Sequence, residues 1–160
     1  MSSLVFPPSS AVPLDLLRGG DELDHKLLLE MADEAIRYIS GFEWCLGIHE
    51  RYFGDGFGGI VALFIFRVSI RDTREPEWIW VIVGDLPSAY LETKGFPSAQ
   101  AALERYIEGV EDWIDTPERE RRTRTDLPPI SMPSGDEHIQ MLKSRMDTLR
   151  ASFLPHLKLE

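Results

Sequence analysis

Six residues near the middle of the chain have the spacing of a nucleotide-binding glycine loop. They read Gly54-Asp55-Gly56-Phe57-Gly58-Gly59, and Val61 completes the form G-x-G-x-x-G-x-V found in protein kinases. A dinucleotide fold needs a helix after the glycines, because the helix N-terminus meets the pyrophosphate, whereas an apolar strand pattern follows here. The chain also lacks the H-R-D and D-F-G motifs of a kinase. We therefore interpret the run as a hairpin turn.

The single cysteine, Cys45, and His49 are the second candidate pair, because a thiolate nucleophile needs a base beside it. Four residues apart on a strand, they would be separated by about 13 Å at ~3.3 Å per residue, too far for direct proton transfer. A structural thiol is the preferred interpretation. The histidines include no i, i+4 pair that would hold a metal: His25, His49, His138 and His156. We expect no catalytic residue, no metal and no cofactor.

Asp85 is the acid best placed to project into a site, because it follows Gly84 at the end of a buried strand. A turn at this point of the chain explains the same residue. Small-molecule binding or catalysis is the alternative function, and it predicts a pocket between strands and helices near Asp85, Tyr90 and His49. Whether the chain is an enzyme stays open, and we favour a non-catalytic role.

Two sets of side chains are candidates for contact with another protein. One is a row of acids at spacings of four, three and four, which places them along one helix face: Glu104, Glu108, Glu111 and Asp115. The other is the tryptophan set Trp44, Trp78 and Trp80, which we expect to stack across neighbouring strands with Tyr52. A solvated helix face and a packed core are the plainer alternatives.

Composition limits the partners. The 160-residue chain has 17 Lys and Arg against 27 Asp and Glu, a net charge of −10, which repels nucleic acid. Neighbouring acids offset the arginines at 119–124, so we interpret them as part of a solvated linker. No apolar run approaches the about 20 residues of a membrane helix, and no basic segment precedes the first apolar residues. These features, with one cysteine, predict a cytoplasmic protein without a membrane or nucleic-acid partner.

The apolar pattern predicts one domain of α+β class, residues 1–160, in the order helix, meander, helix, helix. After an extended arm at 1–20, a helix spans 21–40 and ends at Gly41. An antiparallel meander of about four strands follows at 43–53, 60–71, 77–83 and 89–92, with Trp44, Leu46, Ile48 and Tyr52 on one face of the first strand. A second helix begins at the cap Ser98. A charged, proline-containing linker at 115–133 leads to a third helix at 134–154.

The third helix carries an apolar seam. Ser134 and Glu137 are predicted to form a capping box at its start. Its apolar positions recur at alternating spacings of three and four: Ile139, Leu142, Met146, Leu149 and Phe153. The seam predicts packing against this chain's own sheet, with a homodimer through the C-terminal helix as the alternative.

One stretch resembles a group of small bacterial proteins of unknown function. It reads Glu77-Trp78-Ile79-Trp80-Val81-Ile82-Val83-Gly84-Asp85-Leu86-Pro87-Ser88-Ala89-Tyr90-Leu91, and the likeness extends loosely from about residue 41 to 154. The resemblance implies a bacterial protein and adds no catalytic residue. The order of elements also resembles that of ubiquitin-conjugating enzymes, whose active cysteine follows the fourth strand, where residues 92–97 contain none.

These patterns favour non-catalytic protein binding. The row of acids and the apolar seam suit an accessory, adaptor or immunity-type protein. The expected partner is another protein, and charge favours a basic one.

Overall fold

A five-stranded antiparallel sheet forms the centre of the computed structural model, which describes residues 6–121, 123 and 135–159. Each strand is hydrogen-bonded to the strands that precede and follow it along the chain, so the order in the sheet is β1-β2-β3-β4-β5. The strands are β1 Val12–Pro13, β2 Cys45–Phe57, β3 Val61–Ile70, β4 Glu77–Gly84 and β5 Ala89–Glu92. The predicted α+β class and meander are confirmed, and the N-terminal arm adds the short edge strand β1.

Four α-helices accompany the sheet in the described part of the chain: α1 Glu22–Ser40, α2 Ala99–Asp115, α3 Glu118–Arg121 and α4 Asp136–Thr148. Asp21 and Ser98 cap α1 and α2, each accepting a hydrogen bond from the backbone three residues later. Of these two caps, Ser98 was predicted. α4 is capped by Gly135 without a side-chain bond, and the predicted cap Ser134 lies outside the described residues. After α4 the chain continues through a π-helical turn and a 3₁₀ turn: Leu149–Phe153 and Leu154–His156.

The helices cover both faces of the sheet, so the described part of the chain has three layers. β3 is fully buried from Val61 to Phe66, because alternate side chains enter two different cores. One core contains Leu63, Ile65 and Trp80 and is closed by α2 and α4. The other contains Phe64, Phe66 and Val81 and is closed by α1. The apolar pattern on both faces of this strand is explained by these two layers of helix.

The seam of α4 is part of the first core. Leu142, Met146 and Leu149 are buried there, and Ile139 and Phe153 pack against its margin. Packing against this chain's own domain therefore accounts for the seam, mainly through contact with α2. A homodimer through the same apolar stripe would require α4 to leave this core.

The first long strand, β2, corrects one prediction. We expected Trp44, Ile48 and Tyr52 on one face, but the pairing of β2 with β3 shifts register after Cys45, after Ile48 and after Phe53. Each such irregularity interrupts the alternation of side chains. As a result Trp44 and Ile48 pack in the core under α1, together with Cys45, whereas Tyr52 packs in the core under α2.

The glycine run also differs from its prediction. β2 continues through Phe57, so only the last two glycines belong to the turn, which closes with a bond from Ile60 N to the Phe57 carbonyl at 3.0 Å. Gly56 lies inside the sheet, where an added Cβ would be 2.7 Å from the backbone of Ala62. The earlier glycines therefore allow close approach between strands rather than a turn.

Within the described residues, no helix combines the length and the apolarity needed to cross a bilayer.

Candidate functional site

The tryptophans are divided between the two cores. Trp80 is fully buried and its indole N–H donates to the Phe96 carbonyl at 2.8 Å. Trp78 is half-buried and contacts Tyr52, with ring centroids 5.8 Å apart. Trp44 lies on the other face of the sheet, 5.0 Å from the ring of Tyr90. The expected stacking of Trp78 with Tyr52 is present, but Trp44 does not join it, because the bulges of β2 turn it away.

The three predicted pocket residues do not meet. Asp85 follows Gly84, which pairs with Val61 at one end of β3. His49 lies beside the pairing of Ile48 with Val68, seven residues along β3 and thus about 23 Å away at ~3.3 Å per residue. Tyr90 belongs to the aromatic group under α1. The grooves described below contain Asp85 and neither of the other two side chains.

His49 has a different partner from the one considered in the sequence. Its Nε2 is 2.5 Å from Ser69 Oγ, across the β2–β3 pair, and its side chain is exposed. Cys45 is half-buried and packs in the core under α1. The neighbouring acid Glu50 is paired with Arg67 at 3.1 Å. Cys45 and His49 therefore do not form a nucleophile and base, and no described acid is hydrogen-bonded to the imidazole.

The four acids of α2 do share one face, as their spacing predicts. Glu104, Glu108 and Asp115 are exposed, and among the described residues no cation is paired with any of these three. Glu111 is half-buried and accepts a 2.5 Å bond from Arg150, which lies just after α4. We call Glu104, Glu108, Glu111 and Asp115 the acidic face of α2.

The opposite side of α2 is firmly docked. Ala102, Leu103, Ile107 and Val110 are fully buried. The hydroxyl of Tyr106 donates to the Pro87 carbonyl at 2.6 Å and ties the helix to the loop before β5. The acidic face is therefore displayed on a rigid support.

Two open grooves meet at Asp85, at the end of the sheet where the β2–β3 turn lies. One, of about 340 Å³, runs beside α4 and has an apolar floor that includes Ile60, Leu86 and Phe153. The other, of about 550 Å³, runs beside α1 and is lined by polar and apolar residues. Asp85 and Gly59 line both grooves. The Asp85 carboxylate is bound by Arg145 Nε at 3.1 Å, yet the Asp85 side chain stays 70% exposed.

Two further acids hold this end of the molecule together, and the sequence analysis missed both. Asp24 accepts bonds of 2.7 Å from the backbone N–H groups of Gly20 and Gly58, which joins α1 to the β2–β3 turn. Asp55 accepts from the backbone of Lys158 at 2.8 Å and so fixes the C-terminal segment. The partners Gly58 and Lys158 are 34 and 103 residues distant in sequence, so no local spacing could reveal these two bonds.

Burial raises the pKa of two tyrosines. The pKa of Tyr38 is raised to about 12 by burial and, to a smaller extent, by the nearby Tyr90. Burial also raises the pKa of Tyr106 far above its ordinary value. Both phenols therefore stay neutral near pH 7, and the hydroxyl of Tyr106 acts as a structural donor.

The described residues contain no group of three or more His, Cys, Asp or Glu side chains that could hold a metal ion. Within the same residues, every buried side-chain nitrogen or oxygen has a hydrogen-bond partner.

Comparison with known proteins gives this chain no relative. No protein family matches it. Neither a curated protein nor a solved structure matches it either. The resemblance of the stretch from Glu77 to Leu91 to small bacterial proteins stays a prediction.

Proposed function

We propose that this chain is a non-catalytic, protein-binding protein of accessory, adaptor or immunity type that acts in a bacterial cytoplasm. The observation that carries the proposal is the acidic face of α2, where Glu104, Glu108 and Asp115 are exposed and form no ion pair with a described cation. The partner that fits this surface is a protein with a basic patch.

Rigidity makes the acidic face suitable for recognition. α2 is capped at its start by Ser98 and is buried along its inner side, so the backbone that carries these acids needs no ordering when a partner binds. Exposed acids of one sign speed up encounter with a basic surface and disfavour acidic ones. The pairing of Glu111 with Arg150 is an example, within this chain, of a guanidinium bound on the same face.

The charge of the whole molecule supports the same class of partner. A net charge of −10 draws a basic protein toward the chain and repels phosphate-rich partners such as nucleic acid. Attraction of this kind is weakened by salt, so binding is expected to fall as ionic strength rises.

Charge reversal on α2 tests the proposal. Tagged wild-type protein and the variant Glu104→Lys, Glu108→Lys, Asp115→Lys are used to capture partners from a lysate of the host cell, and bound proteins are quantified by mass spectrometry. We expect a protein that binds the wild type at low salt, is released as salt rises, and is lost from the variant.

A matched reversal away from α2 provides the control. Asp15, Glu22 and Asp33 are exposed acids outside α2 and outside the lining of the two grooves at Asp85, so their change to lysine alters the net charge equally. Partners held only by overall charge would be lost from both variants. Equal capture by the wild type and the α2 variant would contradict the proposal.

Small-molecule binding remains the second candidate function. It is favoured by one observation, the pair of grooves that meet at Asp85. Of the three predicted pocket residues, only Asp85 lines these grooves.

A further inference from the structure

The two grooves at Asp85 differ in chemistry. Beside α4 the floor is apolar, with Ile60, Leu86, Leu149 and Phe153 in the lining. Beside α1 the lining includes the acids Glu30 and Glu34 and one cation, Arg37. Since Asp85 belongs to both grooves, an occupant that crosses them passes from an apolar surface to an acidic one.

Charge on the acidic side favours a cation. Three carboxylates, those of Glu30, Glu34 and Asp85, line that groove with the single guanidinium of Arg37. Arg145, on the apolar side, is engaged by Asp85 through its Nε. A basic side chain laid across Asp85 therefore meets a net negative surface.

The shape of the grooves suits a segment of chain better than an enclosed ligand. Both are open to solvent along their length, and Ile60 in the floor is 36% exposed. The volume beside α4, about 340 Å³, is at the lower end of the range for small-molecule sites. It is enough for an aromatic or large aliphatic side chain.

The backbone beside the apolar groove is unusual. Leu149–Phe153 form a π-helical turn, in which the N–H of Leu154 bonds to the carbonyl of Leu149. Such turns are rare and occur frequently at functional sites. Two residues of this turn, Leu149 and Phe153, line the groove, and Phe153 is held by edge contact with Phe57 at 5.0 Å between centroids.

We propose that the paired grooves at Asp85 bind a linear segment of a partner protein, with an apolar side chain beside α4 and a lysine or arginine beside α1. This inference rests on the proposed function, since it takes the occupant to be part of a protein. The inference goes beyond the proposed function because it assigns a second binding site, separate from the acidic face of α2. It also states which side chains the bound segment should carry.

Short peptides test the site without the natural partner. The probe is acetyl-Phe-Gly-Lys-Lys-amide, added to ¹⁵N-labelled protein while amide chemical shifts are recorded. We expect saturable shifts at the amides of Gly59, Ile60, Asp85 and Arg145. The controls acetyl-Phe-Gly-Glu-Glu-amide and acetyl-Ala-Gly-Lys-Lys-amide lack the cations and the aromatic ring respectively, and each should bind at least about threefold more weakly.

Two variants test whether peptide binding depends on Asp85. Asp85→Asn removes the shared carboxylate and releases Arg145, so peptide affinity should fall about threefold or more. Asp147→Asn changes an exposed acid of α4 outside the groove lining and should leave affinity unchanged. Both variants are first compared with the wild type by thermal unfolding.

Three results would overturn the inference. The first is the absence of shifts at the groove amides, and the second is equal binding of the lysine and glutamate peptides. The third is a change of the same amides with protein concentration alone, which would make a second copy the occupant. Because the peptides are tested without the partner, a negative peptide result would not contradict binding of a protein at the acidic face of α2. A negative result of the charge-reversal capture would likewise not contradict peptide binding in the grooves.

Discussion

At the scale of single residues, the Asp24 carboxylate joins α1 to the β2–β3 turn. Its two carboxylate oxygens bind the N–H groups of Gly20 and Gly58 at 2.7 Å, and it lies in the first turn of α1, where a negative charge is favourable. We predict that Asp24→Ala lowers the free energy of unfolding by about 2 kcal/mol. Urea denaturation measures it, with Asp33→Ala, an exposed acid of the same helix, as the control. Equal stability of the two variants would show that the hydrogen bonds of Asp24 contribute nothing to the free energy of unfolding.

Tyr38 makes stability depend on alkaline pH. Its pKa is raised to about 12 in the folded chain from 10.0, so between these values the unfolded chain has lost the phenolic proton and the folded chain retains it. Because the folded state then binds more protons, the contribution is complete below pH 10 and is lost as pH rises toward 12. We predict a smaller loss of urea stability between pH 8 and pH 11 in Tyr38→Phe than in the wild type. An identical loss in both proteins would refute this assignment.

Asp85 shows that a sequence pattern can predict where a side chain projects but not which residue it contacts. The position of Asp85 after a buried strand predicts projection at the end of the sheet, and it does line both grooves. Its pairing with Arg145 spans 60 residues and depends on where α4 docks. Spacing along the chain contains no information on such a contact.

At the scale of elements, close packing of β2 on β3 depends on glycine. An added Cβ at Gly56 would be 2.7 Å from the Val61 carbonyl and from the Ala62 backbone, whereas at Gly47 on the same strand it would meet nothing within 4 Å. We predict that Gly56→Ala destabilises the fold by about 1–3 kcal/mol, since backbone must move. Gly47→Ala should be neutral or stabilising by up to about 1 kcal/mol. Equal unfolding midpoints would contradict the strand contact.

The docking of α4 offers a matched pair of methionines. Met146 is fully buried in the core under α2, and Met141 is 52% exposed on the same helix. We predict that Met146→Ala costs about 2–5 kcal/mol, from lost burial and the cavity left behind. Met141→Ala should change stability by about 0.5 kcal/mol or less. The two values are compared by denaturant unfolding, and similar costs would show that α4 is not docked by its seam.

The helices α1 and α2 were the most predictable elements and β2 was the least, while α3 lies inside the predicted linker. Periodic apolar residues, the stop at Gly41 and the cap Ser98 locate α1 and α2 from sequence to within about one residue, because helical contacts are local. The bulges of β2 depend on its register against β3, which is a long-range property. This is why Tyr52 was predicted on the same face as Trp44 and Ile48 but lies on the other face of the sheet.

At the scale of the whole molecule, the sheet and its two helical layers explain which surfaces are free. α1 covers one face, and α2 with α4 covers the other, so most apolar residues of the meander are used in cores, although Leu46 of β2 is 64% exposed. The outer face of α2 and the grooves at Asp85 remain open. The first was predictable from the spacing of its acids, whereas the second arises only where three distant segments meet.

Retention of a partner is the most direct test of protein binding by this chain. Native mass spectrometry is performed on the protein purified from its host at low ionic strength. We predict a complex with a second, basic protein that dissociates when salt is raised, because exposed charges are screened. A complex whose added mass is a small molecule, and which contains no second protein, would contradict the account and favour the grooves at Asp85 as a ligand site.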